Sequence, residues 1–218
     1  MLNKSVILRS ILDMEVVCAV RRDSSDQLLR IVEAIRRGGI QCIEIAMTTP
    51  LALQAIEEAT GKLDGVVMGA GTVLDGTTAR QAILAGASLI VTPTVELDVI
   101  EMAHRYGKVV ISGAMTPTEI LTAWEAGADM VKIFPASLLG PSYLKAIQGP
   151  LPQIPLVPTG GITADNASEF IQAGAAMVCV GGWLVDKKAV VEGRYEALTK
   201  RAHQLVEAVR KAREGMVS

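Results

Sequence analysis

The sequence predicts a single-domain (β/α)8 TIM barrel, and three observations carry that expectation. The segments "RRGGIQCIEIAM", "LAGASLIVTP", "EAGADMVKIFP" and "QAGAAMVCVGG" share one design, a helix-like stretch, a glycine turn and a short apolar run. Composition agrees: 50% of residues are apolar but only 3% aromatic, and 20 glycines punctuate the chain, as suits short strands buried on both faces between alanine-rich helices. A length of 218 residues supplies one sizeable core without demanding a second domain.

Taken in order, the apolar stretch of "MLNKSVILRSILD" is broken by Arg9 and meets no small-residue cleavage site, so it predicts an opening helix over about 3–13 instead of a leader. Strands are expected near 16–20, 42–47, 66–71, 89–92, 109–113, 130–134, 156–159 and 177–181, each followed by a helical pattern. The segment containing "YEALTKRAHQLVEAVRKA" predicts a closing amphipathic helix over about 187–213. Runs this short and this apolar suit a closed barrel better than a large open sheet.

The same reading excludes several function classes. Twenty-one Lys and Arg against 23 Asp and Glu leave a charge of -2, and no basic run interleaves with aromatics, so nucleic acid is not an expected partner. The longest apolar run, 173–185, is short and broken by glycines, which opposes a bilayer span and makes the cytoplasm the simplest location. Cys18, Cys42 and Cys179 are scattered in apolar runs, as reduced core thiols would be. His104 and His203 fall in outer helices, and Glu44 is the one acid well placed at a strand end, so neither a metal nor another cofactor is expected. "GAGT" at 69–72 lacks the spacing of a nucleotide-binding loop.

Barrel active sites gather at the C-terminal ends of the strands, and two charges stand there in otherwise apolar runs. Lys132 shares a strand face with Met130 and Phe134; burial disfavours an ammonium and frees an amine that can attack a carbonyl. An anion ligand or a plain ion pair would also account for it. Glu44, in "CIEIAM", faces Lys132 only if strands two and six meet across a barrel, where it could shuttle protons beside an iminium or simply satisfy a buried charge. The strand ends "PTGGI" at 158–162 and "VGG" at 180–182 offer backbone amides to a phosphate without obstruction by Cβ atoms.

In combination, "GADMVKIFPAS", "GGIQCIEIAMTTP", "GAGTVL", "IVTP" and "VPTGG" resemble, in order and over almost the whole chain, the 2-keto-3-deoxy-6-phosphogluconate and 4-hydroxy-2-oxoglutarate aldolase family of class I pyruvate aldolases. The resemblance implies cleavage of a 2-oxo-4-hydroxy acid, in a homotrimer of barrels, through a covalent Schiff base in place of a cofactor. It makes Lys132 the Schiff-base residue and Glu44 the general acid/base. Thr72 and Pro93 would line the pyruvyl end with Phe134 beside the lysine, and Thr159, Gly160, Gly161, Gly181 and Gly182 would surround the phosphate.

Two departures bear on substrate. Where some members carry "TLR" two residues after the glutamate, this chain has "AMT" at 46–48 with Thr48 in the arginine's place, so the expected carboxylate holder becomes Arg22, which matches an arginine of other members, with Arg21 alternating away from it. Trp183 stands where members often place serine or asparagine after the glycine pair; in the pocket it would weaken the expectation of a phosphate and favour an aldehyde such as glyoxylate, whereas as a core or interface residue it would leave the phosphate to backbone amides. The leading expectation is 2-dehydro-3-deoxy-6-phosphogluconate, with 4-hydroxy-2-oxoglutarate as a further substrate. The alternative is the 6-phosphogalactonate epimer; a phosphosugar isomerase or synthase, or a non-catalytic phosphosugar-binding barrel, stands further off.

Overall fold

The computed structural model describes residues 3–25 and 27–217. A parallel sheet of eight strands runs β7-β6-β5-β4-β3-β2-β1-β8: β1 (Val16–Val20), β2 (Cys42–Ala46), β3 (Val67–Gly71), β4 (Leu89–Val91), β5 (Val109–Ala114), β6 (Met130–Ile133), β7 (Leu156–Pro158) and β8 (Val178–Val180). A bridge from Thr159 to Cys179 joins the two ends, so the sheet nearly closes into the expected barrel. Helix α1 (Lys4–Met14) precedes the barrel. Helices α2 (Leu28–Arg37), α3 (Ala52–Lys62), α4 (Gly76–Leu84), α5 (Leu97–Arg105), α6 (Pro117–Glu125), α7 (Ala136–Gln148) and α8 (Ala167–Gln172) follow the successive strands.

Local chemistry explains the elements. Gly39, Gly86, Gly127 and Gly174, the turn glycines of the repeated unit, all adopt positive φ, between 97° and 107°. Helix α6 starts on a full capping box, Thr116 with Glu119, and has proline in its first turn. The C-terminal segment differs from the single helix expected over 187–213. It forms α9 (Lys187–Val191) and α10 (Tyr195–Val217), parted where Gly193 turns to φ 69°. Periodicity had hidden that break, because a glycine inside a helical pattern is tolerated as often as it terminates.

Strand alternation sorts the core into two layers. Val17, Cys42, Leu89, Val109, Met130, Val157 and Met177 point inward and pack with Ile7 and Ile11 of α1, which plugs the N-terminal end of the barrel. Lys4 of that helix pairs with Asp129 at 2.9 Å, whose other oxygen accepts from the Val110 N–H at 2.8 Å. Outward residues such as Cys18, Ile43, Ile90 and Val131 pack beneath the helices, each fully buried branched side chain contributing roughly 1.5–3 kcal/mol. Arg213 fastens α10 by donating to Glu15 and to the carbonyls of Ala175 and Ala176.

Toward the C-terminal mouth the inward positions turn small. Ala19, Gly69, Gly71 and Gly113 continue the inward faces on which larger side chains sit deeper in the barrel. At Gly113 the reason is contact: an added Cβ would lie 2.1 Å from the Pro93 carbonyl carbon and 2.2 Å from its oxygen. The neighbouring hydroxyl of Thr92, fully buried, accepts from the Gly113 N–H at 3.1 Å and donates to the Thr94 carbonyl. Gly113→Ala is therefore expected to destabilise the fold by roughly 3 kcal/mol or more, because rigid backbone must move. An unchanged urea midpoint would contradict this.

Candidate active site

The deepest charges in the barrel are also its closest pair across the interior. Lys132 on β6 and Glu44 on β2 are 7% and 2% exposed, and Lys132 Nζ lies 3.9 Å from Glu44 Oε1. That separation allows attraction but exceeds a hydrogen bond, leaving room for a group to engage both. Glu44 Oε2 has no hydrogen-bond partner. A buried carboxylate oxygen left without a donor is costly, and it marks a place where a substrate hydroxyl or water would be bound.

The electrostatics of Glu44 follow from this setting. Burial raises its carboxyl above the ordinary glutamate value, while the charges of Lys132 and then Arg21 draw it back. A carboxyl raised in this way holds a proton more readily than a free glutamate, as a general acid must. Its orientation depends on β3, since a Cβ at Gly71 would come within 2.5 Å of Oε2. The thiols do not compete: burial pushes Cys179 up to about 12 and Cys18 and Cys42 well above their usual value.

The other expected site residues fall as follows. Phe134, 38% exposed, holds its ring centroid 5.4 Å from Lys132 Nζ. Pro93 abuts Gly113, which stands opposite Lys132 in the β5–β6 register. Thr72 has a left-handed backbone, φ 56°, costly for a β-branched residue, and its hydroxyl accepts from Arg21 Nη2 at 3.0 Å. Thr48 is exposed beside buried Thr49.

The arginine at the mouth is Arg21, not the expected Arg22. Inward Val17 and Ala19 carry their phase on to Arg21, whose guanidinium reaches Thr72 and acts on Glu44. Arg22 donates its backbone N–H to Thr49 Oγ1 at 3.1 Å, and its charge acts on exposed Asp23. The alternation was legible, but Arg22 had been chosen for its likeness to an arginine of the family.

The glycine loops converge on the same mouth. Thr159 bridges to Cys179, while Gly160 and Gly161 take φ of 93° and 77°. Gly160 packs toward Phe134, and around Gly182 a Cβ would meet open space. Trp183 does not fill that space: it packs against the outer core, with the Arg201 guanidinium 5.8 Å from its ring. Among the described residues no three His, Cys, Asp or Glu side chains cluster to hold a metal. A surface depression of about 630 Å³ beside Arg9 and Asp13 of α1 lies at the opposite end, and neither Lys132 nor Glu44 lines it.

Residues 7–201 match the model of the KDPG and KHG aldolase family. The chain belongs to this family. The 2-dehydro-3-deoxy-6-phosphogalactonate aldolase of Escherichia coli strain K12 is 36% identical over 203 residues, covering 91% of this chain and 96% of that protein. The 2-dehydro-3-deoxy-phosphogluconate aldolase of Treponema pallidum strain Nichols is 32% identical over 197 residues, covering 90% and 94%. Among solved structures, the KDPG aldolase of Legionella pneumophila, with pyruvate captured as a covalent carbinolamine, superposes with a TM-score of 0.84 at 26% identity, covering 91% and 97%. Membership makes the chain a class I aldolase of the KDPG/KHG type.

Proposed function

We propose that the protein cleaves 2-dehydro-3-deoxy-6-phosphogalactonate to pyruvate and glyceraldehyde 3-phosphate, with Lys132 as the Schiff-base residue and Glu44 as the general acid/base. The observation that carries the chemistry is the amine of Lys132 beside a buried carboxylate with one oxygen unpartnered. Lys132 attacks the C2 ketone, and Glu44 transfers protons as water leaves and the iminium forms. Glu44 then takes the C4 hydroxyl proton while the C3–C4 bond breaks and its electron pair passes to the iminium. The enamine is protonated at C3, and water releases pyruvate from Lys132.

Binding follows from the mouth. Phe134, Pro93 and Thr72 line the pyruvyl end, Arg21 replaces Arg22 as the cation for substrate oxygen, and Gly160, Gly161, Gly181 and Gly182 with Thr159 present the phosphate seat. Trp183, turned outward, leaves that seat to backbone amides, so the unphosphorylated substrate suggested by its bulk loses support.

The galactonate epimer is favoured over the gluconate first expected by the higher identity to the galactonate enzyme and by Thr48. Initial rates on the two epimers test this. A tenfold preference for the galactonate is expected, and a preference for the gluconate would reverse the assignment. A trimer in the cytoplasm, with no metal or added cofactor, completes the proposal; no helix among the described residues is long and apolar enough to cross a membrane. Light scattering of the purified protein would contradict the trimer if it returned another mass.

The raised Glu44 carboxyl gives a pH prediction. Charge on Arg21 favours the carboxylate, so it lowers the pH at which Glu44 ionises. Arg21→Met is expected to move the acid limb of the kcat/KM profile to higher pH and to raise KM. An acid limb that stays in place or moves down would remove Arg21 from the site.

A further inference from the structure

The loops after β7 and β8 bring the amides of the proposed phosphate seat together, yet the sheet fixes them to each other only weakly. At this seam the two strands share the bridge from Thr159 to Cys179 and a bond from the Ala176 N–H to the Leu156 carbonyl. Two side chains from outside the mouth fasten the loops instead.

Asn166, at the start of α8, holds the first loop. Its Nδ2 donates to the Gly161 carbonyl at 2.8 Å while its Oδ1 accepts from the Thr163 N–H at 2.8 Å. Those two bonds staple the turn in which Gly160 and Gly161 both have positive φ. Arg201, on α10, holds the second. Its Nη1 donates to the Trp183 carbonyl at 2.7 Å, its guanidinium lies over the Trp183 ring, and its charge is 3.9 Å from Asp186 Oδ2. The other oxygen of Asp186 caps α9 through the Ala189 N–H. Arg201 therefore brackets residues 183–186, which also turn back on the Gly181 carbonyl through the Leu184 and Val185 N–H groups.

We propose that Asn166 and Arg201 are positioning residues that preorganise the two amide loops for the substrate's phosphate, acting through Gly161 and Trp183 without touching substrate. The inference rests on the phosphate seat of the proposed function. Amides held in place before binding do not have to be ordered by the ligand, so the clamp acts on affinity for the phosphorylated end and leaves the lysine chemistry alone. Trp183 then has a role that its position suggests: its carbonyl and ring are the handle by which a distant helix holds the seat.

The test uses the full-length protein and its Arg201→Met, Arg201→Lys and Asn166→Ala variants. The readouts are KM and kcat for the phosphorylated substrate, KM for 4-hydroxy-2-oxoglutarate, the inhibition constant of inorganic phosphate, and borohydride trapping of pyruvate. Arg201→Met and Asn166→Ala are each expected to raise the phosphate inhibition constant and the phosphorylated-substrate KM about tenfold, the scale of one lost hydrogen bond. The unphosphorylated KM and pyruvate trapping should stay at wild-type values, and Arg201→Lys should recover part of the loss. Because Asn166→Ala leaves the net charge unaltered, its effect separates positioning from long-range attraction. Wild-type behaviour in both variants, or equal losses on both substrates, overturns the clamp while leaving the seat. A wild-type enzyme that phosphate does not inhibit and that has no preference for the phosphorylated acid overturns the seat, and the clamp with it.

Discussion

Lys132→Ala is expected to eliminate the borohydride-trapped pyruvate adduct and to lower kcat/KM by on the order of 10⁴-fold or more, since no other group can form the covalent bond on which the route depends. The basis is position: Lys132 sits on the inward face of β6, 7% exposed, with the orphaned carboxylate of Glu44 across the barrel. Removing the amine leaves Glu44 buried without its nearest cation, which favours the protonated acid and could unsettle the core. Lys132→Arg guards against that ambiguity by keeping the charge while supplying no usable nucleophile. Both variants should lack the adduct with circular dichroism unchanged in at least one. An adduct of undiminished yield in either would place the nucleophile elsewhere.

Glu44→Gln should behave differently. Gln keeps the shape but cannot exchange protons, so the adduct is expected to form, slowly, while turnover falls by about 10²–10⁴-fold, the usual contribution of a positioned acid/base. The variant also removes a carboxyl whose ionisation burial opposes, but it leaves Lys132 without its carboxylate partner. Wild-type turnover in Glu44→Gln would end the assignment.

Both residues were visible as single charges in apolar strands, because a buried run tolerates an ionised group only where something compensates it. The repeated glycine turns and the eight strands were visible for a similar reason: their signals are local, set by φ at glycine and by side-chain alternation. Arg21 was passed over because Arg22 was matched to an arginine of the family, although β1 lies where it was expected and the inward phase of Val17 and Ala19 reaches Arg21. Trp183 was left between pocket and core. A bulky residue beside a glycine pair says nothing about direction; Arg201, 18 positions away on α10, draws it outward.

The sequence by itself determined the eight strand-and-helix units and singled out the lysine and the carboxylate as lone charges in apolar strands, since each is written in a short window whose physics is local. Only the tertiary structure decided that β2 and β6 face each other at 3.9 Å, that Gly71 must lack a side chain for Glu44 to stand where it does, and that Arg21 is the cation at the mouth. Those are distances between strands far apart in the chain, and closure of the sheet sets them. Closure is a property of all eight strands together, and no one segment encodes it.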